Sequence, residues 1–160
     1  MNRYEKIMKE LYRGLVVLQT FLLGTLLAIV SVQIIIRILP FLPNILWTEE
    51  IARFLLVWVI FLGAAIGVKE GTHFTVSILP EAKSKLVSWI WELAILIAMT
   101  SLSAIFTYRG IKYAKVMIWD ISNIAQISMI WVGAAIPAFG ILSLLFIVEM
   151  FVKQFKKEGL

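Results

Sequence analysis

The chain has 160 residues, 61% of them hydrophobic and 16% charged, where soluble domains carry about 25% charged residues. A chain of this size and balance cannot bury its apolar surface inside a water-soluble globule, and the absence of cysteine excludes disulfides, thiol chemistry and iron–sulfur ligation. The net charge of +5 does not point to nucleic acid, because the basic residues are dispersed between apolar runs and read as topology signals and contacts to membrane lipids.

The first 13 residues predict a short amphipathic surface helix in the headgroup layer. Tyr4, Ile7, Met8 and Leu11 fall at helical spacing on one side, and Arg3, Lys6, Lys9, Glu5 and Glu10 fill much of the rest. Between Arg13 and Arg37 lie 23 uncharged residues, enough to cross a hydrocarbon core about 30 Å thick. Helix 1 is therefore placed at 14–39 and ends before Pro40 and Pro43, which cannot continue the backbone ladder. This run is too long for the apolar part of a cleaved signal peptide, and no small-residue cleavage site follows it.

Helix 2 is placed at 48–69. Its uncharged core, Phe54 to Val68, spans only 15 residues, so its first turn belongs among the headgroups. Gly71, Thr72 and Pro80 mark a loop, and helix 3 follows at 84–108 with one charge, Glu92. A polar and amphipathic connection, Arg109 to Gln126, leads to helix 4 at 127–152, with Pro137 inside it as an expected bend. Between Asp120 and Glu149 lie 28 uncharged residues. Only helices and closed barrels satisfy their backbone in lipid, and these runs lack the alternation of barrel strands. The fold class is an all-α integral membrane protein: one domain, 1–160, with four transmembrane helices.

Lys and Arg set the orientation. The amino terminus, the 2–3 loop and the carboxy-terminal tail carry ten of them, against Arg37, Arg109, Lys112 and Lys115 on the other side and Arg53 just inside helix 2. The richer side is expected to be cytoplasmic, with both termini inside. Trp47, Trp89, Trp119 and Trp131 fall near predicted helix ends, where indoles prefer to sit; Trp58 lies about three turns into helix 2 and is expected to pack against protein.

The densest polar signature is Trp47-Thr48-Glu49-Glu50-Ile51-Ala52-Arg53. Glutamates in a first helical turn meet the positive end of the helix dipole. Glu49 and Glu50 stand four and three residues before Arg53, so either pair can touch. The pattern allows a self-contained ion pair at headgroup depth, or a charged contact to another membrane subunit or to a protein docking from outside, since one arginine cannot balance two carboxylates; a proton relay fits less well, because these groups sit at the rim and not at mid-membrane. Glu92 reads equally as a rim residue or as an inter-helix or inter-subunit contact. His73, the single histidine, reads first as a polar loop residue, and alone it cannot build a catalytic zinc or bis-histidine haem site. Gly63-Ala64-Ala65-Ile66-Gly67 fits the small-xxx-small pattern of close helix approach, echoed by Gly133-Ala134-Ala135-Ile136-Pro137. No charge lies at the centre of any predicted helix, where transporters place their binding groups. The chain reads as a supporting subunit, without catalytic, cofactor or metal sites.

The run Trp47 to Arg53, then Trp58, Phe61-Leu62-Gly63-Ala64-Ala65, Lys69 and His73, resembles the small membrane subunit of tripartite ATP-independent periplasmic (TRAP) transporters. Ile127-Ser128-Met129-Ile130-Trp131 followed by Pro137 is similar to that family's fourth-helix motif. The resemblance implies a non-catalytic small permease subunit in the bacterial inner membrane, packed on the static part of a large permease subunit. That large subunit would bind sodium and substrate and move elevator-fashion, supplied by a soluble periplasmic substrate-binding protein. The substrates implied are organic acids such as dicarboxylates or sialic acid. Partner contacts are expected at Trp47, Glu49, Glu50, Arg53, Trp58, Gly63, Gly67, His73 and Glu92. Phe74 is bulkier than the family pattern suggests.

Two other classes compete. A stand-alone small multidrug-type exporter needs a buried helix carboxylate; helix 1 has none and Glu92 is the one substitute. A four-helix membrane enzyme of the glutathione-using kind needs polar helix interfaces, and Glu50, Arg53 and Glu92 form a thin set.

Overall fold

A computed structural model describes residues 3–39, 46–71 and 85–158, with the side chains of 85–89, 92 and 153–158 outside the description. Five helices occur there: α1 (Arg3–Ile38), α2 (Leu46–Glu70), α3 (Lys85–Val116), α4 (Ile130–Gly133) and α5 (Ala135–Glu158). Among the described residues, four helical stretches are long and apolar enough to cross a membrane, Arg3–Ile38, Leu46–Glu70, Leu93–Val116 and Ile130–Val152.

Three boundaries differ from the sequence reading. The expected surface helix is continuous with helix 1, with no break at Gly14. Its apolar face does not serve the headgroups alone: Met8 and Leu15 are buried, with Leu11 and Tyr12 against them, in a cluster with Val68, Phe146 and Ile147. Helix 3 runs eight residues beyond Tyr108, because nothing between Arg109 and Val116 breaks a helix and its cations suit a helix end. At 32 residues and about 1.5 Å per residue it is about 48 Å long, well over the hydrocarbon core. Helix 4 divides into α4 and α5 at Ala134. Pro137 is the cause: it has no N–H for the Gly133 carbonyl one turn earlier, although Ala138 N still donates to the Ala134 carbonyl at 3.1 Å.

The helices do not pack symmetrically. α3 lies along α5 in the most extensive interface, α2 packs against both α1 and α5, and α1 meets the bundle chiefly through α2. The α3–α5 seam is built from small residues. A Cβ at Gly140 would lie 2.6 Å from the Thr107 backbone nitrogen, and one at Gly110 would lie 2.8 Å from the Pro137 nitrogen. Backbones can approach this closely in lipid only where side chains are absent. Where α2 meets the seam, Phe61, Phe106 and Phe139 form a three-ring cluster with centroids 5.3–6.2 Å apart.

Residues 117–129 fold into a tight hairpin joining α3 to α4. Ser122 N donates to the Ile127 carbonyl and Met129 N to the Asp120 carbonyl, each at 2.9 Å, and an antiparallel bridge pairs Ile121 with Ser128. The turn closes through Gln126 at φ 53°, a left-handed conformation that a side chain resists.

Candidate functional site on the second helix

α2 carries the polar signature and makes hydrogen bonds or ion pairs with α1, the hairpin, α4 and α5. At its amino-terminal end, the Glu50 carboxylate accepts a 2.6 Å hydrogen bond from Ala125 N of the hairpin. The buried Ser122 hydroxyl lies beside that carboxylate. Glu50 is therefore committed within the chain, and Arg53 is not its ion-pair partner. Arg53 turns back instead, its Nε 3.4 Å from the Glu49 backbone carbonyl.

Half-way along, Trp58 Nε1 donates to the Trp131 backbone carbonyl at 2.7 Å. This confirms a protein-packed Trp58 and shows what it does, which is to tie α2 to α4 just before the helix break. On the opposite flank, Gln19 of α1 donates from Nε2 to the Val59 carbonyl at 2.9 Å. Gly63 makes room for that amide: a Cβ there would lie 3.1 Å from Gln19 Nε2. The glycine expected as a helix–helix seam thus admits a side chain, and the close backbone seam lies between α3 and α5. Gly67, the second residue of the expected motif, is buried in α2.

At the carboxy-terminal end of α2, Lys69 pairs with Glu149 of α5. The glutamate side chain is 2% exposed, and the ammonium also stands 5.5 Å from the Phe146 ring centroid. Its neighbour Glu70 accepts a 2.5 Å hydrogen bond from Tyr12 Oη of α1. Sequence reasoning missed both contacts. Lys69 reads in the sequence as a charge of the 2–3 loop and Glu149 as the end of an apolar run; the signal available is a base and an acid near the ends of two spans. Gln19 left only a weaker signal, an amide inside an apolar run.

What remains open on α2 forms one stripe. Leu46, Glu49, Arg53, Leu56 and Ile60 are all exposed, at alternating spacings of three and four, the spacing of a helix-packing seam. Trp47 is exposed beside it. Glu49 also borders a groove of about 240 Å³ between α1 and α2, lined by Val30, Gln33, Ile34, Arg37 and Thr48. Of the other expected site residues, His73 lies outside the described residues, as do the neighbouring loop positions. Glu92 lies on α3, with its side chain outside the description.

Residues 26–157 match the family model described as tripartite ATP-independent periplasmic transporters, DctQ component. The chain is also 27% identical over 146 residues to the sialic acid TRAP transporter permease protein SiaT of Haemophilus influenzae (strain 86-028NP). That match covers 87% of this chain but only 23% of the relative, so the chain spans about a quarter of its length. The family match takes in all of α2 and α3, the hairpin and nearly all of α5, so the contacts of α2 with the hairpin, α4 and α5 lie within the matched region, while Tyr12 and Gln19 of α1 precede it. This chain is a multi-pass membrane protein that belongs to the DctQ-component family of TRAP transporters, a transporter component and not an enzyme.

Proposed function

We propose that the chain is the small permease subunit of a sodium-driven, binding-protein-dependent uptake system, and that it braces a large elevator-type subunit without binding substrate itself. It lies in a bacterial inner membrane with both termini in the cytoplasm. A periplasmic substrate-binding protein supplies organic acids of the dicarboxylate or sialic-acid type, and the large subunit holds sodium and substrate. The relative named for sialic acid supports the substrate class. Its much greater length supports a division of labour, since this chain corresponds to less than a quarter of it.

The open stripe on α2 carries the reading. Three other polar groups of α2 are committed inside the fold: Glu50 to the hairpin, Trp58 to α4, Lys69 to α5. Glu49 and Arg53 are exposed among apolar residues at the rim of a membrane span. At that depth the two charges are met by lipid headgroups or by a polar partner. A second membrane protein offering opposite charges and an apolar helix face satisfies the whole stripe.

Co-purification of the tagged chain with the large membrane subunit tests this. Reversing both charges in Glu49→Lys/Arg53→Glu should lower recovery of the large subunit by about tenfold, equivalent to about 1.4 kcal/mol of association free energy. Glu10→Lys, at the opposite end, should not. Unchanged recovery with the double reversal rejects the stripe as the interface. Movement of an organic acid by the isolated chain down a sodium gradient in liposomes rejects the brace itself.

A further inference from the structure

The hairpin between α3 and α4 has a surface that the α2 interface does not use. Its backbone is pinned by the Ser122–Ile127 and Met129–Asp120 hydrogen bonds and by Glu50 on Ala125 N. Yet it exposes large apolar side chains: Trp119 is 85% and Ile121 61% exposed, with Ile118 and Ile124 also open. A hairpin held this tightly cannot fold those side chains inward, and contiguous apolar surface facing water is unfavourable.

The helix leading into it supplies the other half. The apolar run of α3 ends at Tyr108, and Arg109, Lys112 and Lys115 then repeat every third residue, all exposed. Lys112 Nζ stands 4.4 Å and the Arg109 guanidinium 6.0 Å from the Tyr108 ring centroid. Asp120 is the single acid between Tyr108 and Gln126, against three cations. The segment is thus a cationic collar at the edge of the hydrocarbon, followed by an aromatic and aliphatic tip.

We infer that the 117–129 hairpin is an interfacial anchor: Ile118, Trp119, Ile121 and Ile124 enter the headgroup–acyl boundary while Arg109, Lys112 and Lys115 hold phospholipid phosphates. The phospholipid layer complements both features at once. Its phosphates answer a collar with a net positive charge, and its acyl boundary answers the tip. Glu50 aims the anchor by fixing the hairpin to the end of α2. This inference rests on the membrane-spanning helices and is independent of the transport reading.

The chain has no cysteine, so Ile121→Cys and Trp119→Cys each give one spin-label position in the full protein. Each is reconstituted in vesicles of phosphatidylethanolamine and phosphatidylglycerol, and collisions with oxygen and with a water-soluble nickel chelate are compared. The expected result is severalfold greater access to oxygen, which partitions into lipid, than to the nickel chelate. Adding Arg109→Gln/Lys112→Gln/Lys115→Gln should shift the balance toward nickel in these vesicles and much less in uncharged ones, with helix content unchanged. Greater access to nickel in the parent chain makes the hairpin an aqueous loop and overturns the inference. Low access to both reagents makes it a protein contact and overturns it equally.

Discussion

Trp58 and Trp131 are joined by a hydrogen bond in which only one of the two indoles takes part: Trp58 Nε1 donates to the main-chain carbonyl of Trp131, 2.7 Å away. The Trp131 ring itself points outward and is largely exposed. One tryptophan therefore holds the fold together while the other faces its surroundings.

The two positions should differ sharply on substitution. Trp58→Phe keeps most of the ring and removes the donor, and should cost about 0.6–2 kcal/mol, the range for inter-helix hydrogen bonds in membranes. Trp131→Phe leaves the acceptor in place and should be near neutral. Thermal or denaturant unfolding in detergent distinguishes them, and equal costs would contradict the assignment.

The Lys69–Glu149 pair should behave as a unit. Lys69→Met or Glu149→Leu alone breaks this largely buried pair, and each should destabilise by about 3–5 kcal/mol. The double variant replaces the pair by apolar groups and should recover much of that loss. The coupling is read from a double-mutant cycle on unfolding free energies. Additive losses would mean that the two groups do not depend on each other.

Glycine substitutions should follow helix spacing and not helix propensity. Gly140→Ala places a methyl against Thr107 and Gly110→Ala one against Ile136 and Pro137, all on the α3–α5 seam. Each should cost about 1–3 kcal/mol by overpacking. Gly14→Ala and Gly24→Ala meet open space and should be neutral or slightly stabilising. Melting temperatures of the four single variants give the comparison.

Glu50 and Glu49 are adjacent but should report at different places. Glu50→Ala removes the acceptor of Ala125 N, so amide hydrogen exchange should speed up in the hairpin from Ser122 to Gln126. Glu49→Ala should leave hairpin exchange unchanged, because Glu50 is the acceptor of Ala125 N and Glu49 lines the α1–α2 groove. Faster hairpin exchange in both variants would contradict the separation.

The turn offers a stabilising change. Gln126 holds φ 53° at the cost of Cβ crowding. Gln126→Gly should therefore gain up to about 1 kcal/mol, with slower exchange at Ile127, provided the loss of its 3.2 Å side-chain bond to the Asn123 carbonyl costs less.

The membrane spans were legible in the sequence because hydrocarbon imposes a length and an apolar composition that few other structures share. The motif at 47–53 and the depth of Trp58 were legible for a related reason: polar and aromatic groups in a membrane chain are rare, so each carries positional information. Partner choice among those groups was another matter. Glu50 and Arg53 have the spacing of an ion pair, yet Glu50 bonds a backbone amide 75 residues on. Lys69 and Glu149 lie 80 residues apart and share no local signature. Spacing along a helix describes what can touch on that helix alone, and the partners here come from other helices. The same limit explains the glycines. Two similar pentapeptides signalled small residues, but which backbone each would meet depended on the order α1, α2, α5, α3 across the membrane. Composition decided that this chain belongs in a bilayer. Only the packing of its helices decided which charges are enclosed and which stand exposed.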